Sequence, residues 1–273
     1  MKRRSAHLLR TVVIAVFSVM IVVCISPNSI SKDDVPTDPK IVEVIRAVQK
    51  DMGFNKIQSM RFKLDTRTEK KQKEGIKVTT AKAEMTFKRP SYIRKDKKAY
   101  GSGKLRYSAV KITDGISSQI TQFNPDGELV MSKMFSVTKE NGGGIWDNHP
   151  LFESKLLNPK FYSRIEQSNM EEAKVYILSS DKPKPIYSKC WFSVNPWRII
   201  KFQVKIDKKL LKLEVTDFKY KEIAPGIWYP ASYTMHFPDI QLISKIAASH
   251  FEVNIDIPSE AFMFLPGKAD TKK

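Results

Sequence analysis

The chain has 273 residues, 47 of them Lys or Arg against 29 Asp or Glu, for a formal net charge of +18. A surface this basic is drawn to anionic partners. Its two cysteines, Cys24 and Cys190, exclude a disulfide-stapled scaffold, and the length allows one large domain with a buried core.

Lys2, Arg3, Arg4 and Arg10 precede an apolar run without charge over residues 11–25. Basic then apolar is the layout of a secretory signal. A membrane-spanning helix needs about 20 apolar residues, so the run reads as a signal peptide over residues 1–31. Ser29 and Ser31 supply the small residues that place cleavage near Ser31. Two other outcomes leave the protein attached to a membrane: the signal stays uncleaved, or Cys24 is lipidated. The bulky Ile21, Val22 and Val23 before Cys24 count against lipidation. Loss of the four signal cations lowers the net charge from +18 to +14. The remainder, residues 32–273, is expected to fold as one β domain outside the cytoplasm, in the periplasm. There membrane headgroups are the natural anionic partners and nucleic acid is not.

The first ordered element is a helix. Asp38 caps it, Pro39 suits its first turn, Ile41, Val44, Ile45, Val48 and Met52 fall at helical spacing, and Gly53 stops it. The period then changes from 3.6 to 2. Ala81, Ala83, Met85 and Phe87 alternate with polar neighbours. So do residues 175–179, the run Ile200 to Ile206, the run Leu211 to Val215, the run Ile227 to Phe237, and Phe251, Val253, Ile255 and Ile257. Asn124-Pro125-Asp126-Gly127, Asp207-Lys208-Lys209 and Ala224-Pro225-Gly226 are turns, and such short links imply an antiparallel meander. Between the strands, Gly142, Gly143 and Gly144 form a hinge. Asn148 to Leu157 reads as a short helix, ended by Asn158-Pro159 and laid over one mouth of the sheet.

Catalytic chemistry finds little footing. His149, His236 and His250 have no ligand-spaced partner, so no metal or other cofactor is expected. Cys190 beside Trp191 reads as a buried structural thiol, and His236 shares the wet face of its strand with Ser232 and Thr234. Phosphate loops, GxSxG elbows and HExxH pairs are missing from the sequence. A non-enzymatic protein is therefore expected. The chain is instead rich in large apolar side chains spread over nearly every element, which fits either a packed core or an apolar cavity. Phe62, Met85, Phe87, Tyr92, Trp146, Phe152, Phe202 and Trp228 are the candidate cavity residues.

In succession these features resemble the LolA-like family of outer-membrane lipoprotein-sorting proteins. The opening helix leads to Phe62-Lys63-Leu64, and the strand to Phe87 ends in Lys88-Arg89-Pro90, similar to the family's strand and Arg-Pro step. Ile112-Thr113-Asp114-Gly115 and Phe123-Asn124-Pro125 are similar to its "SDG" and "YNP". Asn148 to Phe152 stands at its lid helix, Gly226-Ile227-Trp228-Tyr229-Pro230 in its late hairpin, and residues 251–266 at its closing strand. The resemblance implies a mainly β, curved antiparallel half-barrel, an incompletely closed barrel with an N-terminal helix and a short lid helix. It also implies an interior that receives acyl chains of lipoproteins or anionic lipids, and Arg89 as the latch that hydrogen-bonds the lid. The expected function is a periplasmic carrier or chaperone moving lipoproteins toward the outer membrane, with a membrane transport protein as a further partner. The alternative is an RseB-like sensor that grips a membrane regulator. The chain is longer and more basic than such a carrier, which leaves lipoprotein and other acidic lipid both open as client.

Overall fold

The computed structural model describes residues 38–136, 155–170, 173–180, 189–206 and 211–266. The expected signal, the Gly142 to Gly144 hinge, Trp146, Phe152 and most of the expected lid helix lie outside the described residues.

The helix, α1 (Pro39–Asp51), begins and ends as its sequence dictates. The Asp38 carboxylate accepts from the Lys40 amide at 2.8 Å, and Gly53 follows in the left-handed conformation. Among the described residues thirteen strands come after it: β1 (Ser59–Gln72), β2 (Gly75–Lys88), β3 (Tyr92–Gly101), β4 (Lys104–Thr113), β5 (Ser117–Phe123), β6 (Leu129–Ser136), β7 (Arg164–Met170), β8 (Ala173–Ser179), β9 (Lys189–Ser193), β10 (Arg198–Ile206), β11 (Leu211–Ala224), β12 (Ile227–Phe237) and β13 (Leu242–Val253). They form one sheet in the order β6-β5-β4-β3-β2-β1-β13-β12-β11-β10-β9-β8-β7, with every neighbouring pair antiparallel. Two meanders are thus joined at the centre by the one non-sequential pair, β1 with β13. The edges β6 and β7 do not meet, so the barrel is incompletely closed.

The two faces of the sheet are distinct. The inner face carries the main core: the α1 stripe Ile41, Val44, Ile45, Val48 and Met52 packs with Phe62, Met85, Phe87, Phe202, Leu213 and Val215, all buried. Burial of the five helix side chains contributes roughly 1.5 to 3 kcal/mol each, so α1 is held by the sheet more than by its own helical propensity. From the β6 to β7 connection, Leu156, Leu157 and Tyr162 join the same core. Gln49 donates to the Leu157 carbonyl at 3.3 Å, and the Tyr162 hydroxyl donates to the Leu156 carbonyl at 2.8 Å.

One predicted strand is corrected. The alternation Phe251, Val253, Ile255, Ile257 suggests a strand through residue 257, but β13 runs from Leu242 to Val253. Asn254, with φ of 56°, turns the chain out of the sheet, and its side chain accepts from the Gln58 amide at 2.8 Å and donates to the Lys56 carbonyl at 3.0 Å. Residues 255–265 then cross the outer face as a strap. Lys88 donates to the Ile257 carbonyl at 2.6 Å, Arg94 to Ala261 at 3.1 Å, and Gln119 exchanges two 2.7 Å hydrogen bonds with the Leu265 backbone. Ile257 and Phe262 bury beside Ile112 in a second, smaller core. The apolar alternation was real, but it served the strap.

Candidate functional site

The hollow of the sheet is the candidate site. Phe62 stacks on Phe251 at 5.6 Å between ring centroids and tilts against Tyr229 at 5.6 Å, while Tyr229 also meets Phe54 at 6.4 Å. On the adjoining strands Phe202, Phe218 and Tyr233 form a second aromatic group, with centroid separations of 5.9 and 5.7 Å. The surroundings are poor in water. Tyr233 keeps some exposed area, yet it is enclosed by protein, and loss of water pushes its phenol up to about 12. Burial also raises the Tyr220 phenol, whose hydroxyl donates to the Ile199 carbonyl at 2.7 Å.

Four of the predicted cavity residues meet here: Phe62, Met85, Phe87 and Phe202 share the main core with α1. Tyr92 does not. It pairs in register with Lys88, whereas its neighbour Ile93 pairs with Phe87, so Tyr92 stands on the outer face, packed on Phe262 at 5.5 Å. A period-2 pattern names two faces without saying which is inner, and the aromatic ring misled. Trp228 is half-buried at the hairpin that abuts the end of α1. Its amide donates to the Met52 carbonyl at 3.0 Å, and its ring carries the Arg198 guanidinium at 5.1 Å. Trp146 and Phe152 lie outside the described residues.

Arg89 lies where β2 ends. Its Nε donates to the Ile57 carbonyl at 2.6 Å and its Nη2 to the Phe54 carbonyl at 3.2 Å. Both acceptors belong to the joint between α1 and β1, which sequence reasoning did not connect with this arginine. A shallow depression on the outward side of α1, lined by Pro39, Val42, Glu43, Arg46, Ala47 and Lys50, faces away from the hollow. Within the hollow the apolar stripe of α1 packs with Phe62, Met85, Phe87 and Phe202 in one buried cluster.

Cys190 is buried in this core, and desolvation raises its thiol well above the usual range against the opposing effect of the neighbouring Tyr162 hydroxyl. Native protein should therefore resist a thiol reagent at pH 8, and unfolding in guanidinium should release one reactive thiol per mature chain. Rapid labelling of the native chain would contradict this placement. Among the described residues no group of three or more His, Cys, Asp or Glu side chains is arranged to hold a metal.

No family model matches the chain, and no curated protein matches it by sequence. Solved structures match it by shape. A DUF1329 family protein from Desulfovibrio piger superposes with a TM-score of 0.53 at 11% identity, covering 83% of this chain and 98% of that one. A LolA superfamily protein from Nitrosomonas europaea gives 0.51 at 12% identity, covering 84% and 98%. The chain has the LolA-like fold. A third match, to a domain described as a putative outer membrane lipoprotein-sorting protein domain from Vibrio parahaemolyticus, has a TM-score of 0.51 at 11% identity and covers 81% of this chain and 95% of that domain. At such identities the likeness shows the fold, in keeping with the half-barrel that the resemblance in sequence implied.

Proposed function

We propose that the protein is an exported, non-enzymatic carrier that takes acyl chains of a lipoprotein or lipid into the hollow of its half-barrel and moves them through the periplasm toward the outer membrane. The observation that carries this reading is the division of the hollow between two parts of the chain. The wall of Phe62, Met85, Phe87 and Phe202 belongs to the sheet, whereas its cover belongs to one amphipathic helix and a connection between open edges. The five α1 side chains contribute about 10 kcal/mol, and an acyl chain of about fourteen methylenes gains about 11 kcal/mol at roughly 0.8 per methylene. The two fillings are matched in scale, so the exchange lies near balance and a carrier can both load and unload. The likeness in fold to a lipoprotein-sorting domain supports the same reading.

Mass spectrometry of a lipid extract from the purified mature chain tests this. Acyl lipid or lipoprotein should co-purify, and failure to carry lipid or to take up a fluorescent fatty acid in a folded sample would sink the proposal. Retention of one membrane protein and no lipoproteins would move the reading to a sensor.

In this account Arg89 is the latch of the closed state, acting on the joint between α1 and β1. Replacing it with Leu removes about 1.5 to 3 kcal/mol of charged hydrogen bonding from that state. Arg89→Leu should release an acyl probe to vesicles at least about tenfold more slowly, since every 1.4 kcal/mol is tenfold, with an unchanged far-UV spectrum. Release at the parent's rate would make Arg89 a structural cation only.

A further inference from the structure

The hairpin of β1 and β2 is longer than the strands beside it. β3 pairs with β2 only as far as Gly101 with Thr79, and β13 with β1 only as far as Leu242 with Lys70. Residues 71–78 therefore extend past both flanking strands as a two-stranded finger, at the end of β1 away from its joint with α1. Its base is tied to the sheet by the Lys71 amide, which donates to the Gln241 carbonyl at 3.1 Å, and its own pairing runs on to Gln72 with Gly75. Every residue from 71 to 78 is exposed.

The finger carries large aliphatic side chains into solvent. Ile76 is 66% exposed and Val78 38%, and Ile243 at the start of β13 is 39% exposed. Register groups all three on the outer face. Ile76 and Val78 are two residues apart on β2, Val78 pairs with Glu69, and Glu69 pairs in turn with Ile243. The intervening Glu69 carboxylate is held by the Arg67 guanidinium at 3.0 Å. The surroundings are basic. Residues 70–78 hold Lys70, Lys71, Lys73 and Lys77 against one acid, Glu74, a net charge of +3. Lys245, exposed and two residues beyond Ile243, adds a further cation to the same face.

We propose that this finger is a docking surface for an anionic membrane, with Ile76, Val78 and Ile243 entering the boundary between headgroups and acyl chains while the lysines meet the phosphates. Exposed aliphatic side chains ringed by lysines are what such a boundary binds, since it offers apolar and negatively charged contact at adjacent depths. A second copy of the chain fits less well, because it would bring one cationic finger against another. A stable protein interface buries about 1,000 Å² or more with matched shapes, far beyond three aliphatic side chains on a finger, whereas a lipid surface needs no matched shape. The proposal goes beyond the acyl-binding reading and stands without it.

The test is cosedimentation of the mature chain with vesicles of phosphatidylcholine alone and of phosphatidylcholine mixed with phosphatidylglycerol. The mixed vesicles should bind at least about tenfold more tightly, with the preference shrinking as salt rises. Ile76→Ser/Val78→Ser keeps the charge and should weaken binding to mixed vesicles about tenfold. Lys71→Gln/Lys73→Gln should also lose about tenfold. Lys219→Gln/Lys221→Gln, which removes the same charge from exposed positions toward the α1 end of β11, should lose at most about twofold. A bimane label on Val78→Cys should shift to the blue on binding, and buried Cys190 stays unlabelled in the native chain. Binding by the Ile76→Ser/Val78→Ser variant at the parent's affinity overturns the proposal, as does a label that stays in water on bound protein. An equal loss in both lysine variants assigns the effect to net charge and overturns it too. Self-association abolished by Ile76→Ser/Val78→Ser, without vesicle binding, assigns the finger to a second copy instead. None of these outcomes bears on the acyl-binding reading, which is judged by the lipid content of the purified chain.

Discussion

Gly53→Ala should lower stability by roughly 3 kcal/mol or more. Gly53 ends α1 with φ of +67°, and a Cβ built there would stand 2.1 Å from the Gly226 carbonyl oxygen. That carbonyl belongs to the β11 to β12 turn, which cannot retreat freely: the Gly226 amide is bound by the Glu222 carboxylate at 2.7 Å, and the Trp228 amide by the Met52 carbonyl at 3.0 Å. At about 2 to 4 °C per kcal/mol for a domain of this size, Tm should fall by roughly 6 to 12 °C. Gly75→Ala is the comparison, with φ of +121° but nothing within 4 Å of its Cβ, so only backbone strain is added. Equal melting of parent and Gly53→Ala would mean that the helix end and the hairpin do not touch as described.

Asp51→Ala should cost about 2 to 3 kcal/mol. Arg198 is almost wholly buried and its guanidinium meets the Asp51 carboxylate at 2.7 Å, which also accepts from the Trp197 amide at 2.9 Å. The same guanidinium lies over the Tyr220 and Trp228 rings at 5.6 and 5.1 Å. Removing the carboxylate leaves a buried cation with the Trp197 carbonyl, and breaks the link from the last turn of α1 to β10. Asp51 is itself part-exposed, which keeps the loss below that of a fully buried pair. Urea unfolding should show a lower midpoint with an unchanged slope. If the carrier reading holds, the variant should also load an acyl probe faster, because the helix is less firmly held. An unchanged midpoint would reduce the pair to a surface contact.

The helix was fully legible in the sequence, because cap, stripe and stop agreed, and β2 from Thr80, β11 as far as Val215, and β12 were legible because one face is apolar and the other wet. β3 and β4 were not read as strands. On β3 both faces are charged, with Lys95 and Lys97 inward and Arg94, Asp96 and Lys98 outward, and on β4 Lys111 turns inward while Val110 and Ile112 turn outward to the strap, so neither strand shows one apolar inner face. β13 was read too late in the chain, since Leu242, Ser244, Ile246 and Ala248 alternate with residues hardly more polar, while the strap beyond it is strongly apolar. Long-range placement is what sequence patterning lacks: the hydrogen bonds of Arg89 cross 32 and 35 residues, and β1 meets β13 across most of the chain.

The central claim is that acyl chains displace α1 from the inner wall. Tryptophan quenching by brominated acyl chains tests it most directly, using a mature chain with its four native tryptophans changed to Phe and Phe62→Trp as the single reporter. Phe62 is buried on the inner wall against Phe251 and Tyr229, and bromine quenches only on close approach. The account predicts strong quenching by a bromo-acyl lipid and none by its unbrominated twin. Stoichiometric lipid binding, confirmed by mass spectrometry, without quenching of Trp at position 62 would place the chains elsewhere and contradict the account.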